Sequence, residues 1–277
     1  MSAAGVLAGA AMAALALAQA ACAPDHGREN DPDGGGGLLP DGNNNGIADS
    51  GGNGFIDAIP LPDGAGMQNC NILPAKIRDF RVGPGVAHPD FEHFTTDAIS
   101  AGIVATTLGA DGTPTWATPG VPACSTGATE FAQWYHDVPG VNMTIPIEMT
   151  LTQTPAGAYV FDNAAFFPAD GLGFGNEGFP HNYGFTTEIH TSFKYMGGES
   201  FTFRGDDDLW LFINGKLAID LGGLHQPQQM TLSLDARAVA LGIVVGGTYH
   251  MDIFGAERHS TASNFRIETT IDCLVVP

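Results

Sequence analysis

The residues best able to do chemistry stand together at Asp206-Asp207-Asp208, between the apolar stretches Phe201–Arg204 and Leu209–Ile213. Two carboxylates about 4 Å apart at an effective dielectric near 20 repel by about 4 kcal/mol, so a rigid group of three needs solvent or a cation to offset it. Calcium takes about six to eight oxygen ligands, several of them carboxylate. Asp206, Asp207 and Asp208 are therefore candidate ligands for it. His225, Glu257 and His259 are polar residues at strand–loop junctions. They complete such a site, touch a ligand, or bond loops to one another, and for Glu257 the last alternative includes an ion pair with Arg258 or Arg266. Trp210 joins them as a candidate ligand contact. Further upstream, Asp41, Asn43, Asn45 and Asp49 fall at the first, third, fifth and ninth places of a calcium loop, with Gly46 at the sixth. The twelfth place holds Gly52 instead of the bidentate glutamate, and the competing reading is a polar, turn-rich spacer.

The elements that must position these groups are mostly strands. Ile77–Val82 reads as a first strand. Ser125 or Thr126 can cap a short helix carrying Phe131, Trp134 and Tyr135 on one face, which Asp137-Val-Pro139-Gly140 stops. Beyond it the period is two: Ile145, Ile147, Met149 and Leu151, then Ile189, Phe193 and Tyr195, then Phe201 and Phe203. Leu209–Ile213 is continuously apolar, Asn214-Gly215 is a hairpin turn, and Lys216–Asp220 returns. Met230, Leu232 and Leu234 alternate, as do Tyr249, Met251 and Ile253, and finally Phe265, Ile267, Thr269 and Ile271. Many short strands, glycine-rich turns and one short helix predict an all-β fold, an antiparallel β-sandwich of jelly-roll type with long loops or else a barrel.

At the acidic cluster and its hairpin the chain resembles the fibro-slime domain family, and through it the protective-antigen-type β-sandwich superfamily. The resemblance extends over His88-Pro89-Asp90-Phe91-Glu92, Phe131–Asn142, Phe166-Phe167-Pro168, His181–Thr186 and Ala256–Glu268, in family order, across about Ile77 to Ile271. It implies an extracellular domain of microbial surface and matrix proteins. In the superfamily an Asp-Asp pair, often joined by a cis peptide, ligates calcium and presents a sugar. Aligned on the Gly215 turn, that pair is Asp206-Asp207, and Asp208 stands where the motif usually has glycine. A late-loop asparagine supplies a further ligand, and Asn264 is its candidate here.

The 277 residues divide into a leader (1–22), a flexible acidic linker rich in Gly, Asp and Asn (23–67) and one domain (68–277). Ala3–Ala21 is apolar or small except at Gln19, as in an export signal, although no Lys or Arg precedes it. Cys22 follows small residues as in a bacterial lipoprotein processing site, with Gln19 in place of the usual aliphatic residue. Lipid on Cys22 and the leader itself are the expected membrane contacts. In an oxidising compartment a disulfide is expected, and Cys70, Cys124 and Cys273 leave the pairing open. A net charge of -20 repels phosphate backbones and excludes nucleic acid as a partner.

Gly173–Gly178 fits a dinucleotide-loop pattern, but Pro180 follows at once where a helix must begin. No zincin, serine-hydrolase or P-loop motif occurs. The leading expectation is a non-enzymatic, exported binding or adhesion module for carbohydrate or matrix polymer. The alternatives are a structural component of extracellular slime that contacts other surface proteins, and a glycoside hydrolase using paired carboxylates.

Overall fold

The computed structural model describes residues 70–92, 99–117, 126–259 and 262–275. Its elements run β1 (Ile72–Phe80), α1 (Ala128–Phe131), β2 (Asn142–Thr150), β3 (Thr152–Gln153), β4 (Tyr159–Asn163), β5 (Phe185–Lys194), β6 (Ser200–Gly205), β7 (Asp208–Ile213), β8 (Lys216–Leu221), β9 (Gln228–Ser233), α2 (Leu234–Leu241), β10 (Thr248–Glu257) and β11 (Phe265–Thr269). They form a six-stranded sheet, β2-β1-β5-β10-β7-β8, and a five-stranded sheet, β3-β4-β11-β6-β9. Every strand pairing is antiparallel. The expected sandwich is the observed fold.

Alternation decides which side chains meet between the sheets. Ile189 and Phe193 of β5, Leu209 and Leu211 of β7 and Met251 and Ile253 of β10 face Phe201 and Phe203 of β6 and Phe265 and Ile267 of β11, all fully buried or nearly so. The opposite positions of the six-stranded sheet are apolar too. Trp210, Phe212 and Phe254 point outward and are covered by Phe91, Phe131, Trp134 and Tyr135, which makes a second core. This is why β7 reads as a continuous apolar run: both of its faces are buried.

Three elements differ from the periodicity. The first strand begins at Ile72, earlier than Ile77, because Pro74 and Pro146 interrupt the alternation while Leu73, Ala75 and Ile77 still pair with Met149, Ile147 and Ile145. The short helix is a single turn whose N-cap is Gly127, without a side-chain cap; Thr126, expected to cap it, instead bonds the Asp90 carboxylate through its N–H at 2.6 Å and its hydroxyl at 2.9 Å. Leu234, expected on a strand, opens α2, where Ser233 caps the Ala236 N–H and Gly242 ends the helix in the left-handed region. Strands β3 and β4 were not foreseen.

Among the open pairings, Cys70 and Cys273 form the disulfide, closing a separation of 203 residues. It ties the entry to β1 to the chain that leaves β11.

Candidate functional site: an acidic rim where the chain changes sheets

β6 ends at Gly205 in one sheet and β7 begins at Asp208 in the other, so the chain crosses the open end of the sandwich over Asp206 and Asp207. The crossing sends the three aspartates in three directions. Asp206 continues the outward row of β6. Its Oδ1 accepts from the Asn264 N–H at 2.5 Å and its Oδ2 from the Asn264 side-chain amide at 2.7 Å. Gly205 permits this approach, since a Cβ there would lie 2.8 Å from the Asn264 carbonyl oxygen.

Asp207 is the turning residue, with φ 52 in the left-handed region that a non-glycine residue rarely occupies. Its Oδ2 accepts from the Arg258 N–H at 2.8 Å, and its own N–H donates to the His225 carbonyl at 3.3 Å. Burial pushes its carboxyl up to about 7 against the opposing pull of Arg258, and Asp208 and Asp206 add to the rise. Glu257, at the end of β10, faces the same space and is fully enclosed. Burial and then repulsion from Asp207 and Asp206 hold its carboxyl well above the usual range, although the Ser263 hydroxyl and the His259 N–H bond to it.

Asp208 leaves this group. It points to the outer face of the six-stranded sheet, where its Oδ1 accepts from the Gly223 N–H at 2.7 Å and its Oδ2 from Arg258 Nε at 2.6 Å. Both side chains of this ion pair are 0% exposed. The Arg258 guanidinium also lies 4.6 Å over the Trp134 ring.

Asp208, expected among the cation's ligands, is thus the counter-ion of Arg258. Trp210, expected at the ligand, is fully buried in the second core, and its indole N–H donates to Asp220 Oδ1 at 3.0 Å. The apolar partners that make β7 two-sided leave the ring no open face. His225, also expected there, is a buried loop brace, with Nδ1 at 3.0 Å from the Gln226 carbonyl and Nε2 at 3.0 Å from that of Leu221. Glu257 pairs with neither expected arginine: Arg258 takes Asp208, and Arg266 takes Asp162 and Glu268. The structure does bring Asp206, Asp207, Asn264 and Glu257 to one rim, with half-buried His259 beside it. Cys22, Asp41, Asn43, Asn45, Asp49 and Cys124 lie outside the described residues.

A cavity of about 20 Å³, room for one water-sized occupant, opens among Asp206, Asp208, Glu257, Ser263 and Asn264. Asp208 pairs with the Arg258 guanidinium, Asp207 accepts from the Arg258 backbone N–H, and Asp206 and Glu257 add two further carboxyl groups nearby. Among the described residues no three His, Cys, Asp or Glu side chains converge on a common centre. The donors are oxygens only and their charge is in excess, which suits a hard cation better than a soft one. Sequence reasoning missed Arg258 as the organiser of the rim. The available signal was its place: it follows β10 directly and is the only Lys or Arg between Arg237 and Arg266. Asp90 was also missed as a brace, and its Oδ2 accepts from the Trp134 indole at 3.0 Å.

Fold and rim together define an antiparallel β-sandwich whose acidic residues gather at the open end of its two sheets. Residues 175–273 match the PA14 domain. Protein psiD of Dictyostelium discoideum is 40% identical over 221 residues, covering 75% of this chain and 42% of psiD. Protein psiQ of the same organism is 39% identical over 220 residues, covering 74% of this chain and 22% of psiQ. The chain spans less than half the length of these curated relatives. Among solved structures, it is similar to a PA14 sugar-binding domain from an RTX adhesin (TM-score 0.31, 10% identity, covering 72% of this chain and 89% of that one). It is also similar to the Epithelial Adhesin 9 A domain of Candida glabrata in complex with Galb1-4GlcNAc (TM-score 0.27, 9% identity, 79% and 90% covered).

Proposed function

We propose that the chain is a non-catalytic glycan-binding module of an exported, fibro-slime-like surface protein, and that it takes its sugar at the rim of Asp206, Asp207, Asn264 and Glu257. The observation that carries this reading is the surplus of carboxylate at the rim: Asp206 and Glu257 line an ion-sized cavity, and buried Asp207 lies beside them. Such a surplus is held only by protons or by a bound cation. The PA14 match over residues 175–273 supports the same reading. Calcium is the cation proposed, with Asp206, Asp207 and Asn264 holding it. When bound, it would supply a positive centre on which neighbouring hydroxyls of a sugar dock. The chain's own part is to fix that centre: Arg258 orients Asp207 through its backbone N–H, and Asn264 orients Asp206 through two bonds.

Thermal melts with calcium and with chelator test the metal. At a hundredfold excess over Kd, calcium stabilises by about 2.7 kcal/mol. For a domain of this size that raises Tm by roughly 5–10 °C, and chelator reverses it. Asp206→Asn and Asp207→Asn each remove the shift. A glycan array run in calcium and in chelator tests the ligand. Melts that ignore calcium together with an array that retains nothing would overturn the proposal.

One observation favours contact with other surface proteins. Met196, Val239, Val244 and Val245 are exposed at the end of the sandwich away from the rim, Val239 at 97%. Pull-down from a surface extract with Val239→Asp as control separates that contact from sugar binding.

A further inference from the structure

The outer face of the five-stranded sheet carries a second concave feature, away from the carboxylate rim. Beside the β3–β4 hairpin an open groove of about 460 Å³ is lined by Gln153, Thr154, Pro155, Val160, Asp162 and Arg266. That volume lies within the roughly 300–1,000 Å³ typical of ligand sites. Pro155 and Val160 offer an apolar floor, and Gln153, Asp162 and Arg266 offer donors and acceptors at its edge. The Thr154 hydroxyl is itself buried, so the polar edge presented to a ligand is that of Gln153, Asp162 and Arg266. Arg266 bonds Asp162 at 2.5 Å and also pairs with Glu268, while Arg204 lies opposite Arg266 across the β6–β11 ladder. Two guanidiniums against two carboxylates leave this face with no net charge, so nothing selects an ionic ligand. An apolar floor with a balanced polar edge matches a ring that is apolar on one face and hydroxylated around its rim.

The groove is continuous with the rim by register. Arg266 pairs with Asp162 on one side and Arg204 on the other, and the next pair along β11 and β6 is Asn264 and Asp206. All of these positions belong to the outward row, since Phe265, Ile267, Phe203 and Phe201 fill the inward one.

We propose that this groove is a subsite for one ring of a neutral, extended polysaccharide, so that the module reads an internal stretch of polymer instead of a chain end. The inference rests on the glycan-binding reading above and adds a second contact to it. The probes are N-acetyllactosamine and cello-oligosaccharides from single units to hexamers, with hyaluronan fragments as the acidic control. Each is titrated into the full chain by calorimetry, with amide shifts followed by NMR. The expected result is a hexamer bound at least about tenfold more tightly than a single unit of the same series, with shifts at Gln153, Thr154 and Val160 only for the longer chains. Val160→Arg, an outward substitution that fills the groove, abolishes the length dependence while single-unit binding stays. A flat length series, a Val160→Arg protein that binds hexamer as before, or preference for hyaluronan would overturn the subsite. Failure of every oligosaccharide to bind would sink the glycan reading and this one together. Length dependence that survives Asp206→Asn but not Val160→Arg would keep the groove and discard the rim as the sugar site.

Discussion

The outer faces of the two sheets had opposite fates. On the six-stranded sheet, Trp210, Phe212 and Phe254 point outward and recruit Phe91, Ile103, Phe131, Trp134 and Tyr135 as a cover. Charged outward residues there are drawn into a network: Arg78 bonds Asp137 at 2.8 Å and pairs with Glu188, and His190 bridges Glu188 at 2.8 Å and Asp252 at 2.7 Å. On the five-stranded sheet the outward residues are Thr202, Arg204, Thr231, Arg266 and Glu268, which are polar and half-exposed or exposed. The first face spends its side chains on stability, and the second leaves them available to a ligand. The acidic rim lies where the chain crosses from one sheet to the other, and Arg258 belongs to the covered face while Asp206 belongs to the bare one.

The largest effect should come from opening the cover. Trp134→Ala removes a fully buried ring and its bond to Asp90, and should cost about 3–5 kcal/mol in urea unfolding. Thr231→Ala on the bare face, whose hydroxyl meets that of Thr202 at 2.9 Å, should stay within about 0.5 kcal/mol. Equal losses from the two would erase the distinction.

Arg258→Met strands Asp208 as a buried, uncompensated charge, and a loss of about 3 kcal/mol is expected. Adding Asp208→Asn to that variant should recover part of it. If Arg258 only braced the covered face, calcium and sugar binding would survive in whatever fraction stays folded. If the anchored guanidinium also fixes the position of the backbone N–H that Asp207 accepts from, both weaken, which calorimetry on the folded fraction reads directly.

A smaller effect, sharper in its sign, belongs to His190. Hydrogen bonds to Asp252 and then Glu188 raise its pKa from 6.5 to about 9 despite burial. The folded state therefore holds this proton more tightly than the unfolded chain. The stabilisation is complete below about pH 6.5 and is lost as pH rises through 9. Tm followed from pH 6 to 10 should fall across that window, and His190→Gln should flatten that part of the curve. An unchanged slope in the variant would show that the imidazole is not the group responsible.

Much of this was legible beforehand. Leu209–Ile213, Asn214-Gly215 and the alternation of β10 and β11 announce a sandwich because their periods are local properties of the chain. The resemblance implied Asp206, Asp207 and Asn264 as ligands of one site, and of these Asp206 and Asn264 hydrogen-bond to each other. The helix α2 was readable too: Ser233, an alanine-rich run and Gly242 form a start and a stop, and the alternation ending at Leu234 obscured them. Trp210 and Asp208 were misplaced for one shared reason. A strand buried on both faces looks apolar throughout, so its sequence does not say which side chains remain open to a ligand.

What the sequence determined by itself was the class of fold, the turns, and the collection of carboxylates beside one another in the chain. Only the tertiary structure decided which of those carboxylates share a space. Asp206 and Glu257 are 51 positions apart yet repel across one cavity, whereas the adjacent Asp207 and Asp208 take different partners, the Arg258 backbone N–H and the Arg258 guanidinium, because the chain turns into the other sheet there. Electrostatic fields depend on distance through space and on burial, and neither quantity is a local property of the chain.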